Sequence, residues 1–145
     1  YSLEQTNTIK AVEAMQAYIN MNPDSKRLPE ANNYIDEARK KLEKKEAAAA
    51  QLYYNIGQYK AAGVAYKSVL RNYPESPSVD YYQYMTFKSL YYYARQSVED
   101  KQEERYANAI SAYNDFKEEY PNSQYLRDAG TYYTRADNSI KKLRK

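Results

Sequence analysis

The chain contains no cysteine, no histidine and no tryptophan. The first two absences remove disulfides, thiol nucleophiles, imidazole bases and the usual zinc ligands in one step. They leave the compartment open, because a cysteine-free chain suits cytosol and periplasm alike. Glycine is scarce as well: three glycines and five prolines in 145 residues leave no room for a low-complexity linker, and no glycine-rich phosphate loop occurs. No apolar run approaches the roughly 18 residues that span a bilayer, and no signal peptide begins at Tyr1. Two-residue alternation of apolar and polar residues is missing too, which argues against sheet.

What is present in excess is tyrosine, 20 residues against two phenylalanines. At this length one domain buries roughly 68–70% of its unfolded surface, so the core must be built largely from rings whose hydroxyls need water or a partner. The net charge of +3 misleads, because Lys141, Lys142, Arg144 and Lys145 supply four positive charges and residues 1–140 sum to −1. The body is not basic. A nucleic-acid binder would carry a basic stripe on a folded face, so no nucleic-acid partner is expected, and the basic end complements the negative pole of its own helix.

Aligning the chain on proline exposes a repeat. Asn22-Pro23-Asp24-Ser25, Tyr73-Pro74-Glu75-Ser76 and Tyr120-Pro121-Asn122-Ser123 share a Pro-x-Ser exit. Twelve residues before each proline stands Ala11, Ala62 or Ala109, nine before stands Ala14, Ala65 or Ala112, and eight before stands Met15, Tyr66 or Tyr113. Small residues let a partner helix approach closely, and the large residue one turn on fills the groove beside it. Gly57 breaks an apolar helical run that ends near Ile56, and Ala62, Tyr66 and Val69 then mark one face of a helix stopping before Pro74. The order Gly57, Tyr59, Ala62, Tyr66, Val69, Pro74 resembles the second half of a tetratricopeptide repeat, with Ala50 and Tyr53 in its small and aromatic positions. Spacings of 51 and 47 residues between the prolines exceed the usual 34, so the first helix of each unit must be long.

The pattern predicts an all-α chain, an α-solenoid of tetratricopeptide-like hairpins with about six helices. Residues 1–25 read as the second helix of a first repeat, 26–76 as a second repeat, 77–123 as a third, and 124–145 as a C-terminal capping helix. Ser2 with Gln5 forms a capping box for the first helix, whose Ile9, Val12, Met15 and Ile19 share a face as far as Met21. Ser25 offers an N-cap before Leu28-Pro29-Glu30, with proline in the opening turn, and from Pro29 to Ile56 nothing breaks the helix, roughly 40 Å. Its middle, Arg39 to Glu46, is nearly all charged and reads as a solvated stretch held by pairs such as Glu37 with Lys41. Ser76-Pro77 starts the fourth helix, Asp100 with Glu103 caps the fifth, and Ser123 caps a last one reaching Leu143. On the fifth helix Tyr106, Ala109, Ile110, Tyr113 and Phe116 face inward. Because the chain opens in a second helix, a preceding part is expected to be missing.

Catalysis finds no support: Glu103-Glu104 and Glu118-Glu119, the nearest to paired carboxylates, read as solvated helix surface, and no nucleophile or metal spacing occurs. No catalytic residue, cofactor or metal is expected. The stretch DYYQYMTFKSLYYYARQSV from Asp80 is the better candidate. At 100° per residue Tyr82, Thr86, Ser89 and Tyr93 fall on one side and Tyr81, Tyr84, Lys88, Tyr91, Tyr92 and Arg95 on the other, and only one side should be core. Tyrosine and arginine dominate binding hot spots, and solenoids present first-helix side chains on a concave face. Tyr84, Lys88, Tyr91 and Arg95 are therefore one candidate partner-binding row, with Gln51, Tyr54 and Asn55 as the neighbouring row. The competing reading is that these tyrosines only pack between repeats.

The run EKKEAAAAQLYYNIGQYKAAGVAYKSVLRNYPES resembles the BamD family, outer-membrane lipoproteins of the β-barrel assembly machinery. Lys45, Glu46, Ala50, Tyr53, Gly57, Tyr59, Ala61, Ala62, Tyr66, Val69, Leu70, Tyr73, Pro74, Glu75, Ser76 and Pro77 match that family's pattern; the resemblance covers nearly the whole chain and loosens after residue 98. It implies a non-catalytic adaptor at the periplasmic face of the outer membrane, docking on a BamA-like barrel-assembly protein, other assembly lipoproteins and nascent outer-membrane proteins. Membrane attachment would be through an N-terminal lipidated cysteine that this sequence does not contain. A tetratricopeptide adaptor of another cell-envelope system would share the frame.

Overall fold

Wherever the sequence repeats Pro-x-Ser, the backbone makes the same turn. The computed structural model describes residues 3–145, with side chains from residue 5 onward, so the Ser2 capping box lies outside the described residues. The helices are α1 (Leu3–Met21), α2 (Leu28–Asn55), α3 (Tyr59–Asn72), α4 (Val79–Arg95), α5 (Glu99–Glu119) and α6 (Leu126–Leu143), and no strand occurs among the described residues. The all-α hairpin architecture read from the sequence is the one observed.

In each turn the serine N–H donates to the carbonyl three residues back, from Ser25 to Asn22, Ser76 to Tyr73 and Ser123 to Tyr120, at 3.1 Å in all three. The serine Oγ accepts from the N–H two residues on, at Arg27, Ser78 and Tyr125 (3.2, 3.1 and 3.2 Å). Its carbonyl accepts from the first residue of the next helix, Leu28, Val79 or Leu126. This corrects the expectation that Ser25, Ser76 and Ser123 are N-caps of the following helices. The hydroxyl satisfies an N–H within the turn, and each helix opens three residues later. Pro77 accordingly stands in the turn rather than in the opening turn of α4. Asp100 does not cap either: α5 starts at Glu99 behind Val98 without a side-chain cap, and Glu99 and Asp100 sit in its first turn, where they suit the positive end of the helix. Gly57, at φ +83°, supplies the left-handed residue that ends α2.

The chain divides into two compact units, one ending at Glu46 and the other running from Ala47 to Lys145. In the first, Ala31, Ile35, Ala38 and Leu42 form a buried stripe along α2, and Tyr18 at the end of α1 hydrogen-bonds through its hydroxyl to Ser25 Oγ (2.7 Å). The charged middle of α2 is mostly exposed, and Glu37 reaches Lys40 (3.8 Å) instead of Lys41, a pair exposed enough to contribute little.

In the second unit α3 packs on α4, α4 on α5, α5 on α6, and α4 also touches α6. Ala62, Val69, Phe87, Ala94, Ala109, Phe116, Ala129 and Ala136 are fully buried, and Ala50 closes the end of α2 in the same way. Gly63 lies against Ser89, where an added Cβ would meet Ser89 Cβ at 3.7 Å, so the two helices approach closely. Tyr106, Tyr113 and Phe116 face inward as read, and Tyr113 stacks on Tyr133 of α6 with ring centres 4.6 Å apart. Tyr53 departs from its expected aromatic core position: it is exposed, and the neighbouring Tyr54 turns inward to Tyr59 at 5.4 Å.

The division of α4 into one core side and one free side does not hold. Tyr82, Thr86 and Ser89 are buried, and so are Tyr84 and Tyr91 on the opposite side. A helix with α3 and α5 against it and α6 alongside has little of its circumference left for solvent.

Candidate binding surface

Lys88, in the middle of α4, is the centre of the surface. Its Nζ stands 5.5 Å from the ring centre of Tyr54, 5.7 Å from Tyr84 and 5.2 Å from Tyr132, three rings brought together from α2, α4 and α6. Each such contact is worth about 0.5–1 kcal/mol where the cation keeps water. Tyr92 continues the layer, stacked on Tyr59 at 5.1 Å and edge-on to Tyr132 at 5.7 Å. One turn further along α4, Arg95 lies over the Tyr92 ring at 6.0 Å. No carboxylate pairs with Lys88 or Arg95 among the described residues.

Gln51 joins three helices. Its Oε1 accepts from the hydroxyls of Tyr66 on α3 (2.5 Å) and Tyr81 on α4 (2.8 Å), while its Nε2 donates to Asn55 Oδ1 (2.9 Å). This is how a core rich in tyrosine satisfies its hydroxyls. Elsewhere Asp80 accepts from Ser123 at 2.7 Å, tying the start of α4 to the third turn.

The seven residues singled out in the sequence occupy two tiers. Gln51, Tyr54 and Lys88 are half-buried and Asn55 and Arg95 exposed, whereas Tyr84 and Tyr91 are 5% and 3% exposed. Tyr84 stacks on Tyr125 at 5.2 Å, and Tyr91 meets Tyr106 and Tyr132. Tyr132 and Arg135 of α6 belong to the same surface, and they stand 44 and 47 residues beyond Lys88 with no local signal connecting them to it.

Burial raises the pKa of Tyr54, Tyr66, Tyr84, Tyr91 and Tyr92 above the ordinary tyrosine value of 10.0; for Tyr91 and Tyr92 nearby cations partly oppose the rise. These hydroxyls stay protonated at neutral pH, so they donate and accept hydrogen bonds but do not serve as bases.

The structural class is thus a helical-repeat protein whose middle helix carries cations on a bed of rings. The model of the YfiO (BamD) family, described as outer membrane lipoprotein, matches residues 1–79 and again 50–142. The chain belongs to that family. Residues 50–79, shared by both matches, hold the run from Gly57 to Pro77 that organises the repeat. No curated protein matches the chain. No helix among the described residues is long and apolar enough to cross a membrane.

Proposed function

We propose that this chain is a non-catalytic scaffold of the outer-membrane β-barrel assembly machinery, acting at the periplasmic face of the outer membrane. Its partner is a BamA-like barrel-assembly protein, with other assembly lipoproteins and nascent outer-membrane proteins as further partners. Membership in an outer membrane lipoprotein family supports that setting. The observation that carries the reading is the Lys88 cluster, in which a cation without a carboxylate partner among the described residues is held by three rings from three helices. A cation fixed in advance loses little side-chain freedom when a partner docks. Gln51, Tyr54, Asn55, Lys88 and Arg95 form the contact surface in this reading, and Tyr84 and Tyr91 form the bed beneath it.

The test is capture of purified BamA by the chain and by two variants, Lys88→Gln and Asn55→Arg, with helicity checked by circular dichroism. Retained helicity with affinity reduced roughly tenfold supports the surface. Tyr84→Ala and Tyr91→Ala should instead lower stability, by about 3–5 kcal/mol each, the range for removing a buried ring. Failure of the unmodified chain to capture BamA would favour an adaptor of another cell-envelope system.

A further inference from the structure

Beside the Lys88 cluster, a cavity of about 380 Å³ opens between α4, α5 and α6, lined by Tyr91, Arg95, Tyr106, Arg135, Asn138, Ser139 and Lys142. Three of those seven residues are cations and none is a carboxylate. Asp137 and Glu103, on two of the same helices, are bound elsewhere, to Lys141 at 3.0 Å and Arg144 at 2.6 Å. Arg95, Arg135 and Lys142 have no carboxylate partner among the described residues. Neither guanidinium is left loose. Arg135 lies 5.4 Å over the Tyr132 ring, and Arg95 lies 6.0 Å over Tyr92. The amide of Asn138 and the hydroxyl of Ser139 add neutral donors to the same rim.

We propose that this cavity is an anion site that takes the acidic side chains of a protein partner, two or more carboxylates of an Asp- or Glu-rich segment. Arginine forks match carboxylates in pairs, and guanidiniums held over rings lose less freedom when they engage such a group. The volume falls within the usual range for a ligand pocket and exceeds what a single carboxylate fills. Like charges converging without a counter-ion repel one another, so an acidic occupant relieves a cost that the free protein carries. The inference rests on the reading of the chain as a protein-binding scaffold, and it names the chemistry of the partner.

The experiment measures fluorescence anisotropy with labelled octapeptides: an Asp/Glu-rich peptide with amidated C-terminus, its Asn/Gln counterpart, and that counterpart with a free C-terminus. The acidic peptide should saturate the chain at low salt and lose affinity in about 0.5 M salt. Arg135→Gln and Lys142→Gln should each weaken it roughly tenfold or more, while Lys117→Gln, an exposed cation on α5, should change it less than twofold. Equal binding of the amide counterpart, binding that needs only the free C-terminus, competition by inorganic phosphate that abolishes peptide binding at equal concentration, or an equal loss on Lys117→Gln would each overturn the proposal. BamA capture is measured separately, so a scaffold that holds BamA but ignores acidic peptides loses only this site.

Discussion

The two units carry the same frame and use it differently. Counting back from proline, the twelfth, eighth and fifth residues are Ala62, Tyr66 and Val69 in one repeat and Ala109, Tyr113 and Phe116 in the next; in the unit from Ala47 onward none of the six exceeds 8% exposure. In the unit ending at Glu46 the same places hold Ala11 and Met15, both half-exposed, and Tyr18 at 37%. The turn itself is identical in both, down to the serine hydrogen bonds. The turn is thus a local property of a few residues, whereas burial of the frame depends on the helix laid against it. In the second unit α3 has α4, and α5 has both α4 and α6. Repeat folds gain their core from neighbours in this way.

The sharpest way to break the comparison is alkaline pH. Six tyrosines whose hydroxyls burial holds protonated, Tyr54, Tyr66, Tyr84, Tyr91, Tyr92 and Tyr120, all lie in the second unit. In the unfolded chain each ionises near 10.0, and in the folded chain only at higher pH. Their contribution is therefore complete below pH 10 and is lost as pH rises beyond it, since the unfolded chain then releases protons that the folded one keeps. Urea midpoints should hold between about pH 7 and 9 and fall steeply above 10. A flat profile to pH 11 would mean the hydroxyls are solvated after all.

Next in size is the fifth residue before proline. Phe116→Ala removes a fully buried ring packed between Tyr84 and Tyr120 and should cost about 3–5 kcal/mol. Tyr18→Ala, its counterpart in the first unit, gives up one exposed hydrogen bond to Ser25 and should cost about 1 kcal/mol or less. Chemical denaturation followed by circular dichroism measures both, and equal losses would erase the distinction between the units.

Ala62→Leu and Ala11→Leu repeat the test with added rather than removed volume. Ala62 has no exposed surface, and Ser89 and Leu90 of α4 already stand against its neighbour Gly63, so the larger side chain should destabilise by about 1–3 kcal/mol through overpacking. At Ala11 the side chain has room toward solvent, and the change should stay within about 0.5 kcal/mol.

These contrasts also show which parts of the molecule were legible in the sequence. The turns could be read because proline and serine act on the backbone beside them, although the helices open two residues later than a capping serine would place them. The inward face of α5 was legible for the same reason, since small and aromatic residues recur there at a helical spacing. α4 was not: with tyrosine on every side its periodicity names no core, and two-sided burial follows from α3, α5 and α6, which the sequence of α4 does not contain. Of the candidate surface, Lys88 and Arg95 were visible as cations among rings. Tyr132 and Arg135 became partners only when α6 folded back, because nothing in a 100° periodicity links residues so far apart.

The smallest expected effect concerns Ser89, and it bears on how close α3 and α4 come. Its side chain is wholly buried opposite Gly63, and its Oγ has no hydrogen-bond partner among the described residues. A serine on a helix often returns its hydroxyl to the carbonyl four residues back, as Thr86 does to Tyr82 at 2.8 Å one turn earlier, but Ser89 does not. The hydroxyl is thus desolvated without recompense while the small side chain permits the approach of α3. Ser89→Ala keeps the small volume and removes the orphaned group, so it should be neutral or stabilise by up to about 1 kcal/mol. Ser89→Val, with more bulk beside Gly63, should destabilise by about 1–3 kcal/mol. A loss of stability in the alanine variant would show that the hydroxyl is satisfied in solution, and that the α3–α4 contact is wetter than the packing of the second unit requires.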